Sequence, residues 1–147
     1  MTATESAPAT LPNPTPRIQP ETVDFWAATL NGTLLLQRCS ACATVVYYPR
    51  FLCSACHSTE LENIQSSGRA TIYSYTVTSR GILEYKDAGA YVLAMVELEE
   101  GPKMLTNIVE CDPAELRIGQ QVEVVFHKTD GDAALPRFRP VGTSGSA

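Results

Sequence analysis

Long hydrophobic segments are missing from this sequence. The longest uninterrupted apolar run, around residues 91–96, is far shorter than the roughly 20 residues that a membrane-spanning helix needs. The first twenty residues contain five prolines and two charged side chains, and they lack the apolar centre of a secretory signal peptide. We therefore expect no membrane contact and a cytoplasmic location.

Positive charge is also scarce. Eleven Lys and Arg stand against sixteen Asp and Glu, which gives a net charge of −5 at pH 7. Since binding to nucleic acids depends on cationic side chains that neutralise phosphates, this balance argues against broad nucleic-acid binding. The composition is otherwise that of a globular protein, with 44% hydrophobic and 18% charged residues in a chain of 147.

Recognisable catalytic groups are missing too. The sequence contains no phosphate-binding glycine loop, dinucleotide fingerprint or Ser-His-Asp order. Its two histidines, His57 and His127, are far apart, and His127 is expected at a surface or a sheet edge. Cys111 lies between Glu110 and Asp112, a setting that disfavours the thiolate, so a structural role is the better interpretation. We therefore predict no catalytic residue and no activity of this chain alone.

Changes in composition divide the chain into five segments. The two ends have no apolar period and are too polar to bury much surface, which predicts flexible segments. A short helix, a cysteine-rich stretch and a strand-rich stretch lie between them. The predicted segments are a flexible arm (1–20), a helix (21–32), a cysteine-rich ribbon (33–66), a strand-rich barrel (67–140) and a flexible tail (141–147).

The predicted helix is amphipathic. Val23, Trp26 and Leu30 recur at helical spacing and form one apolar stripe, and Asn31-Gly32 ends the helix. Because so short a helix is marginal in isolation, its apolar face needs a surface to cover. Trp26 and the neighbouring Phe25 are therefore expected to dock on the barrel or on a partner.

Alternating apolar residues after residue 67 predict about five strands and one helical turn near Asp112. The alternation is clear in Tyr73, Tyr75 and Val77 and again in the segment 121–128. Several short strands with a single short helix are typical of a small closed barrel such as an OB-fold. The predicted fold class is therefore mainly β, with an N-terminal helix, the cysteine-rich ribbon and a five-stranded OB-fold barrel.

Four of the five cysteines form a CxxC-x10-CxxC pattern made by Cys39, Cys42, Cys53 and Cys56. Each CxxC pair makes a turn that directs two thiols at one centre, and two such turns supply the four ligands of tetrahedral zinc. A segment this small also has no room for its own hydrophobic core and needs a metal or disulfide cross-link. The pattern predicts one structural Zn²⁺ per chain.

Other interpretations of these cysteines are open at this point. A redox CxxC pair belongs at a helix start within a βαβ pattern, which neither pair has. Cys56-His57 completes a formal CxxCH match to covalent haem attachment, but that chemistry needs export. His57 could replace Cys56 as the fourth ligand, and four thiolates also bind iron.

A loop at 79–90 carries apolar residues that suggest contact with a partner or an acyl chain. Aromatic strand residues beside long loops are where OB-fold barrels hold ligands, although tyrosines of this kind also simply pack a barrel. Candidate partner or ligand contacts are Phe25, Trp26, Tyr73, Tyr75, Ile82, Leu83 and Tyr85.

Taken together, these residues resemble the bacterial and archaeal zinc-ribbon/OB-fold proteins associated with acyl-CoA thiolases and thiolase-like aldolases. The resemblance covers about residues 21–140 and is specific as a set. Ala43 departs from it, because the family often has Gly after the second cysteine. The motifs that carry the resemblance are Asn31-Gly32-Thr33-Leu34, Arg38-Cys39, Cys42, Tyr48-Pro49-Arg50, Cys53, Cys56, Ser67-Gly68-Arg69, Tyr73-Ser74-Tyr75-Thr76, Val96-Glu97-Leu98, Ile118-Gly119 and Leu135-Pro136-Arg137-Phe138-Arg139-Pro140.

The resemblance implies a rubredoxin-like zinc ribbon and a non-catalytic accessory subunit. Members of this group act beside a thiolase-like or sterol-carrier-thiolase-like protein that makes or breaks carbon–carbon bonds on acyl-CoA, as in steroid side-chain retro-aldol cleavage or thiolytic degradation. This chain is then expected to stabilise its partner and to help shape an acyl-CoA channel. The alternative from another class is a single-stranded nucleic-acid-binding OB-fold protein.

Overall fold

A short helix and two β-sheets follow one another along the chain. The computed structural model describes residues 11–141. The elements are helix α1 (Val23–Thr29) and the strands β1 (Leu35–Cys39), β2 (Val45–Val46), β3 (Leu61–Gln65), β4 (Arg69–Thr78), β5 (Tyr91–Leu98), β6 (Lys103–Ile108), β7 (Gln121–Lys128) and β8 (Ala134–Pro140). Short 3-10 turns lie at Pro20–Thr22, Leu83–Tyr85 and Pro113–Glu115.

The second sheet is a closed five-stranded barrel in the order β4-β5-β6-β8-β7, and β4 closes it by pairing with β7. Its pairings are antiparallel except the parallel contact of β6 with β8. Every second residue of β5 is buried, from Val92 to Leu98, so the alternation in the sequence points one face into the barrel. The mainly β, OB-fold prediction is confirmed.

A β-bulge in β4 changes which residues face inward. Ile72 lies opposite Val96, but Ser74 lies opposite Met95, so Tyr73 is one extra residue in the strand. The side chains before and after this point therefore alternate in different registers. Tyr73 and Tyr75, which strict alternation places on one face, are separated: Tyr73 is exposed, while Tyr75 packs against the barrel core.

The buried face of α1 differs from the predicted stripe. Phe25, Trp26 and Thr29 are buried, whereas Val23 and Leu30 are exposed. The reason is that α1 lies between the two sheets and contacts both β1 and β8. The helix therefore buries one face against each sheet. The predicted stripe assumed that the helix packs on a single surface.

Aromatic rings fill the space where α1 meets the ribbon. The Phe25 ring centroid lies 4.9 Å from that of Trp26 and 5.3 Å from that of Tyr48, both in edge-to-face arrangements. The Trp26 indole N–H donates a 2.9 Å hydrogen bond to the Tyr48 hydroxyl oxygen. On the barrel side, the Ala134 backbone N–H donates to the Thr29 hydroxyl at 3.0 Å. Through these contacts α1 joins the ribbon to the barrel.

Leu11, in the described part of the predicted arm, packs on the fold. This side chain is buried, and the Arg137 guanidinium donates hydrogen bonds to the carbonyl of Pro12 and the amide oxygen of Asn13. The barrel therefore supplies a binding surface for a segment that has no secondary structure of its own. The predicted arm over residues 1–10 lies outside the described residues, as does the predicted tail beyond Val141.

No helix within residues 11–141 is long and apolar enough to span a membrane.

The position of α1 between the two sheets can be tested by substituting two of its residues. Phe25→Ala removes a ring buried between the sheets, so we expect it to lower the free energy of unfolding by about 3–5 kcal/mol. Val23→Ala, on the exposed side of the same helix, is expected to change it by less than about 0.5 kcal/mol. Denaturant unfolding of both variants checks the burial, and equal losses would contradict it.

Candidate metal centre and its surroundings

The ribbon is a three-stranded sheet in the order β2-β1-β3 with two cysteine turns at its end. β1 ends at Cys39, whose N–H donates to the Thr44 carbonyl at 2.9 Å and whose carbonyl accepts from the Ala43 N–H at 2.8 Å. Cys53 repeats this pattern with Ser58 and His57, at 2.9 Å each. Two turns of the same local geometry therefore present the four thiols.

The thiol sulfurs of Cys39, Cys42, Cys53 and Cys56 all lie within 4.8 Å of one another. The Cys39–Cys56 and Cys42–Cys53 pairs are each 3.6 Å apart. Four sulfurs around a tetrahedral zinc at about 2.3 Å are about 3.8 Å from each other, so this cluster has the size that zinc needs. The predicted ability to bind one zinc ion through these four cysteines is confirmed.

Local hydrogen bonds favour thiolates on one side of the cluster. The hydroxyl and backbone of Thr44 lower the pKa of Cys42 to about 6. The backbone at Cys56 and Ala55 lowers the pKa of Cys53. The backbone at Ser58 acts in the same direction on Cys56, but the neighbouring thiols outweigh it and raise that pKa to about 12. Four thiols this close do not ionise together without a cation, so the donor set is suited to a divalent metal.

Zinc held by four thiolates has no open position for a substrate or a water molecule. What the ion supplies when bound is a cross-link between the two turns. The need for one is evident at the cysteine turns, where the cluster of buried Cys39, Val46 and Cys53 with Leu61 is small and separate from the main core. The cluster is therefore suited to a structural metal ion and not to a catalytic one. His57 is outside the group of ligands.

Both cysteine turns require a left-handed residue. Ala43 has φ of 68° and His57 has φ of 66°, each at the position after the second cysteine of its pair. An L-residue in this region costs roughly 1–2 kcal/mol, whereas glycine adopts it without a steric penalty. The departure from glycine at Ala43 therefore leaves strain beside the metal ligands.

The remaining titratable candidates have structural surroundings. Burial, with a smaller contribution from Asp112, raises the pKa of Cys111 to about 11, so this thiol stays protonated at neutral pH. Its sulfur lies 3.9 Å from the Ile108 carbonyl oxygen. His127, expected at a surface or an edge, is half-buried on β7, and its Nδ1 lies 2.9 Å from Arg137. Burial, together with Arg137, lowers the pKa of His127.

The candidate contact residues do not form one site. Tyr73 projects outward with the Lys103 ammonium 4.6 Å from its ring centroid, whereas the Tyr75 hydroxyl donates to the Leu116 carbonyl at 2.8 Å. Ile82 and Leu83, at the tip of the loop between β4 and β5, are the most exposed large hydrophobic residues described, at 75% and 79%. The loop and Tyr73 therefore present surface, while Phe25, Trp26 and Tyr75 have most of their contacts within the chain.

Sequence reasoning did not anticipate the surroundings of Tyr85. Its ring centroid lies 5.2 Å from that of Tyr91, and its hydroxyl accepts a 3.3 Å hydrogen bond from Arg137. Arg137 is only 2% exposed, which is rare for an arginine, and no motif distinguishes it from the partly exposed Arg139 two residues later. The structure therefore adds Arg137 to the residues that fix the loop.

Two family models match consecutive parts of the chain. Residues 26–62 match the model described as "ChsH2, rubredoxin-like zinc ribbon domain". Residues 63–127 match the model described as "ChsH2, C-terminal OB-fold domain". These matches agree with the two sheets, since they divide the chain within β3, between the cysteine turns and the barrel.

Relatives with assigned descriptions match across most of the chain. A "DUF35 domain-containing scaffold protein" of Methanothermobacter thermautotrophicus is 41% identical over 110 residues, which cover 74% of this chain and 83% of that protein. A "Probable enoyl-CoA hydratase alpha subunit" of Thermomonospora curvata is 33% identical over 137 residues, or 93% of this chain and 42% of the relative. The second relative therefore carries a similar region within a longer chain.

A solved structure described as "Ltp2-ChsH2(DUF35) aldolase" contains a similar chain. The two superpose with a TM-score of 0.76 at 32% identity, and the match covers 86% of this chain and 98% of that one. The similarity therefore extends over the helix, the ribbon and the barrel together.

Metal content can be tested with a matched pair of cysteine variants. We expect about one zinc per chain by elemental analysis of the purified protein, with zinc and the folded ribbon lost in Cys39→Ser. Structural zinc contributes on the order of 10 kcal/mol to the folding of small zinc modules, so the loss should be evident in the unfolding curve. Cys111→Ser, outside the cluster, should keep its zinc. Retained folding after complete chelation would contradict a structural role.

The left-handed turn can be tested with a pair of glycine substitutions. Ala43→Gly should raise the free energy of unfolding of the zinc-loaded chain by about 0.5–1 kcal/mol, because strain at positive φ exceeds the entropy cost of glycine. Ala41→Gly, in the same turn but without positive φ, should lower it by a similar amount. Denaturant midpoints measure both, and changes of the same sign would refute the assignment of strain.

Proposed function

This chain belongs to the DUF35 family of paired ChsH2-type zinc-ribbon and OB-fold domains, and on that basis we propose that it is the non-catalytic scaffold subunit of a thiolase-like acyl-CoA enzyme complex. Its task in this proposal is to bind and stabilise a larger protein that carries out carbon–carbon bond cleavage or formation. The observation that carries the proposal is the combination of a closed structural metal centre with an apolar loop fixed in an exposed position.

The descriptions of similar proteins support this proposal from two directions. The archaeal relative is described as a scaffold protein, and the similar solved chain comes from an aldolase whose name joins two components, Ltp2 and ChsH2. The actinobacterial relative is described as a subunit of an enoyl-CoA hydratase. One description thus names a scaffold, one an aldolase and one a subunit of a CoA-ester enzyme, and the proposal combines these three features.

The chemistry of the chain supports a non-catalytic role. The four thiolates of the ribbon saturate a tetrahedral metal and leave it no site for substrate. The remaining thiol, Cys111, is kept protonated by burial, and the group within reach of its sulfur is the Ile108 carbonyl, which cannot act as a base. A partner is therefore needed to supply the nucleophile and the base.

We assign the docking surface to the loop between β4 and β5. Ile82 and Leu83 are exposed at its tip, and their apolar surface would be covered by a partner. The loop is fixed, because Gly81 packs so closely on Tyr85 that a Cβ at this position would overlap the Tyr85 backbone. Tyr85 is held in turn by Tyr91 and Arg137. Because the loop is already held in place, binding a partner would cost little conformational entropy.

The other predicted contact residues have a narrower part in this proposal. Tyr73, exposed beside Lys103, extends the docking surface along the outside of β4. Phe25, Trp26 and Tyr75 have their contacts within the fold and are assigned no direct contact with the partner in this proposal. The finer roles that we propose are lining part of the partner's acyl-CoA channel and participation in steroid side-chain retro-aldol or thiolytic degradation.

Docking can be tested by co-expression with a thiolase-like protein from the same genome. We expect the two proteins to elute as one complex and acyl-CoA turnover by the partner to rise in it. Ile82→Asp combined with Leu83→Asp should weaken the complex by about 100-fold or more, since it places two charges in an apolar contact. Asp also tolerates the positive φ of 52° at Leu83.

Ile118→Asp is the matched control, because Ile118 is also an exposed isoleucine, at 67%, but lies in the loop before β7. It should leave the affinity unchanged. The proposal fails if the chains stay separate at micromolar concentration and the partner works equally well alone. Salt-dependent binding of a labelled single-stranded oligonucleotide would favour the nucleic-acid alternative instead.

A further inference from the structure

Arg137 is a buried cation without an acidic partner in the described chain. Its side chain on β8 is 2% exposed, and the ion pairs found within residues 11–141 are both made by Arg139 instead. Removing a guanidinium from water is costly unless a negative charge or a full set of acceptors compensates. The compensation observed here is made by neutral groups.

Four hydrogen bonds occupy the two terminal nitrogens of Arg137. One nitrogen reaches the Asn13 amide oxygen at 2.7 Å and His127 Nδ1 at 2.9 Å. The other donates to the Pro12 carbonyl at 2.8 Å and to the Tyr85 hydroxyl at 3.3 Å. These acceptors satisfy the donors but leave the positive charge without a counter-ion, so its field extends into whatever space lies beside it.

The space beside Arg137 is a cleft of about 240 Å³ between α1, the ribbon and the barrel. Its walls include Trp26, Tyr48, Tyr85 and the apolar Leu135, and no carboxylate is among the lining residues. A cavity of about 150 Å³ accommodates benzene, so this cleft has room for one ring and a short chain. Aromatic walls and one cation are a combination that recognises a small apolar molecule with an anionic end.

Tyrosine hydroxyls supply hydrogen-bond donors in this cleft. Tyr48 accepts from the Trp26 indole and Tyr85 accepts from Arg137, and within residues 11–141 neither hydroxyl hydrogen has an acceptor. Tyr47 also lines the cleft, and burial, with Tyr48, raises its pKa, so that it too remains a donor at neutral pH. The bond from Arg137 polarises Tyr85 and strengthens its O–H as a donor.

We infer that this cleft is a binding site for a carboxylate carried on a small apolar or aromatic body. Tyr85 and Tyr48 contact the carboxylate, and Arg137 is a positioning residue that supplies the charge through Tyr85. A single negative charge fits better than a phosphate, because the chain already carries a net charge of −5. The carboxylate belongs either to a free acid or to an acidic side chain of another protein.

Trp26 is a built-in reporter for this site, since it is the single tryptophan of the chain and lines the cleft. Titration of the zinc-loaded, full-length protein with 3-phenylpropionate should give a saturable change in tryptophan fluorescence. The neutral 3-phenylpropanamide has nearly the same shape, and its affinity should be lower by a factor of at least about ten. A structural role of Arg137 alone does not produce this preference for charge.

Variants separate the direct donors from the rest of the surface. Tyr85→Phe and Tyr48→Phe should each weaken 3-phenylpropionate binding by about tenfold and leave the amide almost unaffected. Ile118→Asp, in the loop before β7 and outside the lining of the cleft, is the control and should bind like the unchanged protein. If a variant fails to fold, the comparison of acid with amide on the unchanged chain still decides the question.

A peptide probe distinguishes the two sources of the carboxylate. Acetyl-Phe-Glu-amide is compared with acetyl-Phe-Gln-amide under the same conditions. Binding of 3-phenylpropionate but not of the glutamate peptide supports a free acid, and binding of the glutamate peptide supports a side chain from another protein. Failure of both carboxylates to change the fluorescence at millimolar concentration, or equal binding of acid and amide, would overturn the proposal.

Discussion

The cross-link between the two cysteine turns is the constraint on which the ribbon depends. β1, β2 and β3 make a sheet of very short strands, and the apolar core beside the thiols is limited to Val46 and Leu61. A sheet this small cannot offset its own conformational entropy through burial. Four thiolates on one ion would cross-link the two turns and so supplement this small core.

α1 turns the ribbon and the barrel into one body. Its seven residues are too few for a stable helix in isolation, so the helix forms because both of its neighbours bury part of it. Phe25 packs against the tyrosines of the ribbon, while Thr29 accepts from the backbone of β8. The cleft beside Trp26 exists because these three parts meet without filling the space between them. Its chemistry therefore depends on all of them.

Sequence reasoning succeeded where the determining interactions are local. The zinc ligands are set by two turns of four residues, and the strands of the barrel are set by alternation within each strand. It failed where contacts with residues distant in the sequence determine which side chains are buried. The bulge at Tyr73 follows from the register between β4 and β5, and the buried face of α1 follows from a second neighbour on β8. No local feature of the sequence predicts that Arg137 is buried, because arginine is ordinarily exposed.

The contact of Arg137 with Pro12 has a consequence for the order of assembly. These residues are separated by 125 positions, and the first of them leaves the ribosome long before β8 has been made. The early segment therefore lacks its native partner until β8 has been made. The cysteine turns have no such delay, since their ligands span a short stretch of chain. Metal capture can thus precede closure of the barrel during synthesis, and β8 then fixes the beginning of the described chain.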